Sequence, residues 1–233
     1  MLNVSPLPFP RFLPHSLSVI ATATGILLRR RLLTETSLIV HWLTAEHGRI
    51  ATVAKGARRP KSPFHGKLDL FYTCDLSFAR SARSDLHALR EVVVRDSHEL
   101  LRRDIGWIQQ ASYAAALIEQ TTETESPLLE VFNLFSGLLG FLSKQPPKPR
   151  TVFSFEMKLL RELGLEPDPA DTKLAAPVRR LLGALADSGW EDLRELTPTA
   201  SEARELQKFL HGFLIFHLGK LPKGRTGALA AHR

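Results

Sequence analysis

"LDLFYTCDLSFA", residues 68–79, alternates. Leu68, Leu70, Tyr72, Cys74, Leu76 and Phe78 fall on one side; Asp69, Thr73, Asp75 and Ser77 fall on the other. A period of two belongs to a strand with one buried face. Cys74 is then on the core side, where a thiol acts as a small hydrophobe and not as a nucleophile. Phe71 breaks the pattern, an aromatic on the polar side. It either covers an apolar edge or offers a flat face on which a base can stack.

Four more runs have the same character: "VIATATGILLR" (19–29), "TSLIVHWLT" (36–44), "GRIATVAK" (48–55) and "LHALREVVVRD" (86–96). Each is rich in β-branched or apolar residues and bounded by Gly, Ser, Asp or Glu. "AEHG" supplies a tight turn between the second and third runs, and "RSARSD" (80–85) a polar loop before the last. Five strands with no long helix among them predict a small barrel, and the five-stranded OB-fold is the leading candidate.

From Asp104 the period becomes helical. Ser126–Pro127 reads as a cap with proline at the first helical position. Val131, Phe132, Phe135, Leu138, Leu139 and Leu142 then form an apolar stripe. "VFSFEMKLLRELG" (152–164) is a helix stopped at Gly164, and Thr199 with Glu202 forms a capping box for a last helix. The expected fold class is α+β, an N-terminal OB-fold barrel followed by an all-α domain. The expected organisation is a mobile leader (1–16), a barrel domain (17–97), a helical domain (98–226) and a tail (227–233).

Charge is uneven along the 233 residues. The formal charge is +7, but residues 1–95 hold 14 Lys/Arg against 6 Asp/Glu while the remainder holds 17 against 18. Immediately before the alternating run lies "VAKGARRPKSPFHGK" (53–67), and no Asp or Glu occurs from His47 to Leu68. Such a cluster at a turn between strands either faces a polyanion or is simply a solvated basic loop. As a phosphate-tracking surface it would consist of Lys55, Arg58, Arg59 and Lys61, helped by Arg30, Arg49 and Lys67. Phe64 and Phe71 would be the base-stacking platforms.

Other chemistries find little support. No phosphate-binding loop of the Gly-x-x-x-x-Gly-Lys-Ser/Thr type occurs. "HELLR" (98–102) lacks the second histidine of a zinc protease, and nothing resembles a nucleophile elbow. Glu166, Asp168 and Asp171 read as a solvated loop. With one cysteine, Cys74, neither an internal disulfide nor a cysteine zinc site can form. The reading is a non-enzyme without metal or cofactor. The first 16 residues lack a signal peptide's charged start and unbroken apolar core. The most apolar later stretch (127–142) is interrupted by polar residues and falls short of the roughly 20 that a membrane span needs. A cytoplasmic protein away from membranes is expected.

Residues 25–71, "GILLRRRLLTETSLIVHWLTAEHGRIATVAKGARRPKSPFHGKLDLF", resemble the amino-terminal domain of the RecO family of DNA repair and recombination proteins. The match rests on Glu35, Thr44, Gly48, Arg49, the run Ala54–Lys55–Gly56–Ala57–Arg58, Ser62, Gly66, Leu68 and Phe71. Asp69–Leu70 stands where the family usually has Gln-Pro. "YAAALIEQTTE", "FSFEMKLLRELGLEPD" and "FLIFHLGKLPKGR" are similar, more weakly, to helical segments of the family's carboxy-terminal domain. Many members carry a four-cysteine zinc module after the segment matching "LGLEPDP"; residues 168–190 contain no cysteine. The resemblance implies a recombination mediator that binds single- and double-stranded DNA and anneals complementary strands. It also implies work with RecR, contact with the acidic tail of single-strand-binding protein, and indirect help to the recombinase RecA. Two other readings of the residues stay open: an OB-fold RNA-binding protein in translation or ribosome assembly, and a protein adaptor that grips an acidic peptide without touching nucleic acid.

Overall fold

Half-buried strands close into a barrel when every edge finds a partner. In the computed structural model, which describes residues 19–168, 170 and 172–230, five strands do so: β1 (Ile20–Leu32), β2 (Leu38–Thr44), β3 (Gly48–Ala54), β4 (Thr73–Ala79) and β5 (Leu86–Asp96). The order around the barrel is β1-β2-β3-β5-β4, with β4 returning to β1. Only β3 and β5 run parallel. This is the five-stranded OB-fold arrangement that the sequence predicts. β1 serves two neighbours, pairing β4 through its first half and β2 through its second. It turns between them at Gly25, where a Cβ would come within 2.9 Å of the Leu76 side chain. Leu27, Val40, Trp42, Cys74 and Phe78 fill the interior. Trp42 Nε1 donates to Thr52 Oγ1 at 2.9 Å, satisfying both polar groups inside. The Cys74 thiol is fully enclosed, and burial, with Asp75 adding to it, pushes its pKa up to about 12.

After a 3-10 turn (Glu99–Arg103) the chain is helical: α1 (Ile105–Thr121), α2 (Leu129–Leu142), α3 (Pro149–Glu162), α4 (Ala176–Asp187), α5 (Ala200–Leu218) and α6 (Arg225–Leu229). All six residues of the predicted α2 stripe are buried. The Thr199–Glu202 capping box forms in both directions at the start of α5. Among the described residues no helix is long and apolar enough to cross a membrane.

Three expectations are corrected. The alternating run is a strand only from Thr73; residues 68–72 make turns, and Phe71 has a positive φ of 65°. α2 begins at Leu129 without a side-chain cap, so Ser126–Pro127 does not start it. Instead the Ser126 carbonyl packs on Gly48 at the β2–β3 turn, where a Cβ would lie 1.9 Å from it. The proposed tail is helical at its beginning, since Ala228 and Leu229 of α6 are buried in the helical core. The proposed leader, 1–16, lies outside the described residues.

The helices and one side of the barrel share a core. Ile26, Leu28, Leu43 and Phe71 pack with the apolar faces of α1 and α2. Polar contacts ring that junction. Arg29 meets Glu119 of α1 at 2.7 Å, and the Glu125 N–H donates to the Arg49 carbonyl at 2.8 Å. Deeper among the helices, Glu156 of α3 and Arg225 of α6 form a buried two-pronged ion pair at 2.7 and 2.8 Å. The Tyr113 hydroxyl of α1 donates to the same carboxylate at 2.6 Å, and burial drives its pKa upward. Removing one partner of a buried pair strands the other charge. Arg225→Met is expected to destabilise the protein by about 3–5 kcal/mol. Adding Glu156→Gln, which removes the stranded charge and keeps an acceptor for the Tyr113 hydroxyl, should recover much of that loss, as read by the midpoint of urea unfolding.

Candidate nucleic-acid interface

The basic stretch folds because its apolar minority is spaced to plug the barrel. Between β3 and β4 the chain runs through successive tight turns. The N–H groups of Arg59, Ser62, His65 and Lys67 each donate to the carbonyl three residues back, at 3.0–3.1 Å. Gly56 and Gly66, at φ 66° and 72°, supply the left-handed corners. Ala57, Phe64 and Leu68 point inward and join the barrel core. Lys55, Arg58, Arg59 and Lys61 are left on the outside, exposed, with Lys67 half-buried. None of these five forms an ion pair among the described residues.

A second segment lies against this loop. The β1–β2 hairpin turns at residues 33–37, where the N–H groups of Leu33 and Thr34 both donate to the Ser37 carbonyl. The Arg58 N–H donates to the Thr36 carbonyl at 3.0 Å, and its Nη1 to the Glu35 carbonyl at 2.8 Å. The Gly56 N–H reaches Ser37 Oγ at 3.3 Å. Loop and hairpin therefore form one unit at one end of the barrel. A cleft of about 290 Å³ lies beneath it, lined by Arg30, Leu38, Arg58, Phe64, His65 and Asp69 among others. Asp69, the first acid after the basic span, is already engaged, 3.2 Å from Arg30 and 3.1 Å from Arg102.

The nine sequence-derived residues thus divide. Lys55, Arg58, Arg59, Lys61 and Lys67 come together on the loop, and Arg30 borders the cleft with one Nη donating to the Leu68 carbonyl at 2.5 Å. Arg49 does not join them. Its Nε donates to Thr122 Oγ1 at 2.8 Å and its Nη2 to the Thr122 carbonyl, so its guanidinium is spent joining the barrel to the end of α1. Burial lowers its pKa, with Arg29 adding to the effect against the pull of Glu119. Phe64 and Phe71 are not stacking platforms: Phe64 is 6% exposed and Phe71 1%. Phe64 anchors the basic loop in the barrel. Phe71 crosses to the helices and meets Phe135 edge-on at 6.2 Å between centroids. The missed signal for Phe64 is its spacing from Ala57 and Leu68, which marks a plugged loop and not a solvated one. Two residues absent from the expected set, Arg31 and Ser37, belong to the hairpin side of this unit.

A second cationic groove, of about 530 Å³, lies between α5 and α6, lined by Arg204, Lys208, His211 and Lys223 over Leu221 and Pro222. Arg225 also borders it, but its charge is committed to Glu156. Among the described residues no group of three or more His, Cys, Asp and Glu side chains is placed to hold a metal ion.

Fold and site define a class: an OB-barrel protein joined through a shared core to a helical domain, with an unpaired cationic unit at one end of the barrel. Residues 18–98 match the family model for the N-terminal domain of recombination protein O, and residues 102–171 match that for its C-terminal domain. The DNA repair protein RecO of Anaeromyxobacter dehalogenans (strain 2CP-C) is 36% identical over 156 residues, covering 66% of this chain and 61% of the relative. That of Rhodopirellula baltica is 32% identical over 143 residues, covering 61% and 53%. That of Actinobacillus pleuropneumoniae serotype 7 is 31% identical over 141 residues, covering 60% and 57%. The matched part thus spans a little over half of each of these relatives. The chain belongs to the RecO family.

Anchors and platforms respond differently to a conservative change. Phe64→Leu and Phe71→Leu should each destabilise the fold by about 1 kcal/mol, as imperfectly filled core positions do. Each should leave affinity for a single-stranded oligonucleotide unchanged in a fluorescence-anisotropy titration. A stacking platform would lose about 1–3 kcal/mol of binding per base.

Proposed function

We propose that this chain is a DNA-binding recombination mediator acting in DNA repair. Its family membership supports the role. The observation that carries the binding mode is the cationic unit itself: four exposed Lys/Arg on one plugged loop, none in an ion pair among the described residues. Lys and Arg that lack an acidic partner release counterions from a phosphate backbone when they engage it, and that release drives association. A plugged loop presents them at fixed spacing, so little order remains to be imposed on binding.

Annealing follows from the same charges. Two complementary strands repel each other, and a fixed cluster of cations lowers that repulsion while leaving base edges free to pair. The step needs no nucleotide hydrolysis, and the sequence has no phosphate-binding loop with which to perform it. In this reading the protein works in the cytoplasm on both single- and double-stranded DNA. RecR and the acidic tail of single-strand-binding protein are its direct partners, and RecA benefits indirectly when the strand is cleared.

The test removes charge while keeping the loop's architecture. Arg58 is left in place because its backbone and side chain tie the loop to the hairpin. Lys55, Arg59 and Lys61 are replaced together by Ala. Each phosphate contact on single-stranded DNA contributes about −0.7 to the slope of log affinity against log salt. The triple variant should flatten that slope by about two units, slow annealing of complementary oligonucleotides, and shift thermal stability little. An unchanged slope and annealing rate would remove the loop from the binding surface.

A further inference from the structure

With Phe64 and Phe71 buried, the aromatic rings left at the cationic unit are His65, exposed on the loop, and Tyr72, half-buried in the cleft beneath it. Two exposed apolar side chains stand at its hairpin edge. Leu32 is 64% exposed and Leu33 46%. We infer that Leu32 and Leu33 form an apolar wedge that packs against the unstacked bases of a single strand whose phosphates the cationic loop holds. The inference rests on the nucleic-acid reading above and adds to it the part of the ligand that charge alone does not recognise.

The geometry follows from strand register. Leu32 pairs with Leu38, and two residues earlier Arg30 pairs with Val40. Cross-strand partners and residues two apart share a face. Leu32 therefore lies on the face of Val40 and Leu38, the inward face of the barrel. The hairpin continues past the barrel's rim, so this face carries on without a core to cover it. Leu38, still within the rim, is partly covered and lines the cleft together with Arg30. Leu32 is the next step outward. Leu33 begins the turn, and its N–H is already committed to Ser37, which fixes the tip.

Charge complementarity names the occupant. Arg30 and Arg31 precede the leucines, and Arg58 ties the hairpin to the loop that bears Lys55, Arg59 and Lys61. Glu35 is the one acid in the turn, and its carbonyl is what Arg58 holds. An apolar ligand alone has no use for so many cations, and a phosphate backbone alone has none for two exposed leucines. A single strand offers both, a charged backbone and unstacked apolar bases. Proteins that unstack bases do use leucine as a wedge. In duplex DNA such a wedge must first unstack a base step at a cost of about a few kcal/mol, which an already unstacked strand does not incur, so the wedge favours single strands.

The test compares a 20-nucleotide oligothymidylate with an abasic strand of equal length and charge, bound to the full chain and to a Leu32→Ser, Leu33→Ser variant. Both positions are solvent-facing, so the variant should unfold at the wild-type temperature. The unaltered protein should bind the base-bearing strand about tenfold more tightly, the factor that partial burial of two leucine side chains supplies. The variant should bind both strands alike, with the salt slope of the unaltered protein retained. Equal affinity of the unaltered protein for the two strands, or discrimination that survives in the variant, overturns the wedge while salt-dependent binding keeps the cationic unit. Absence of salt-dependent binding to either strand overturns the nucleic-acid reading and the wedge with it.

Discussion

Phe71 holds the molecule's two parts in one core. It leaves the basic loop at a positive φ of 65°, a conformation that costs a non-glycine residue about 1–3 kcal/mol. The Phe71 N–H donates to the Leu27 carbonyl at 2.8 Å, and the Tyr72 carbonyl accepts from the Leu27 N–H at 3.0 Å. That reciprocal pair bolts the end of the loop to β1 before β4 begins. The ring then turns out of the barrel and into the face of α2. Burying a phenylalanine is worth about as much as the strain. One residue thus ends the loop, starts β4 on the correct side, and docks the barrel on the helices. Arg49, Glu125 and Gly48 tighten the same junction from the opposite end of the barrel wall.

The consequence for the cationic loop is rigidity. It is anchored at its end by the Phe71 bolt, along its length by Ala57, Phe64 and Leu68, and at its outer side by Arg58 on the hairpin. A basic segment rich in glycine and proline would otherwise be an unstructured coil. Here its inward residues are taken by the barrel, so its cations have one direction left. Electrostatic repulsion among them stays uncompensated, because the one neighbouring acid inside the cleft, Asp69, is shared by Arg30 and Arg102. A surface that keeps such repulsion when a few carboxylates would relieve it is suited to an external polyanion.

Much of this was legible in the sequence. Alternation marked one strand and β-branched or apolar composition the other four, and their number pointed to a small barrel of the OB type. The Thr199 capping box and the α2 stripe were readable because they are local, fixed by residues three or four apart. The charges of the loop were readable for the same reason. The roles of its aromatics were not. Phe71 fits the polar side of an ideal strand, and nothing local announces that the strand has yet to begin. Arg49 looked like a phosphate contact because its partner, Thr122, lies 73 positions away. Ser126–Pro127 looked like a helix start because its real contact, Gly48, is equally remote in sequence. The misreadings of Phe71, Arg49 and Ser126–Pro127 fall at the barrel–helix junction, where long-range packing overrides local preference.

The central claim is that the plugged loop, and not the groove between α5 and α6, is the face that meets DNA. Lysine footprinting addresses it directly, because both surfaces carry lysines that lack ion pairs among the described residues. The protein is acetylated briefly with and without a saturating single-stranded oligonucleotide, and each lysine is read by mass spectrometry. The expected result is protection of Lys55, Lys61 and Lys67, with Lys208, Lys220 and Lys223 modified equally in both samples. Protection confined to Lys208, Lys220 and Lys223 would contradict the account and move the DNA-binding face to the helical domain.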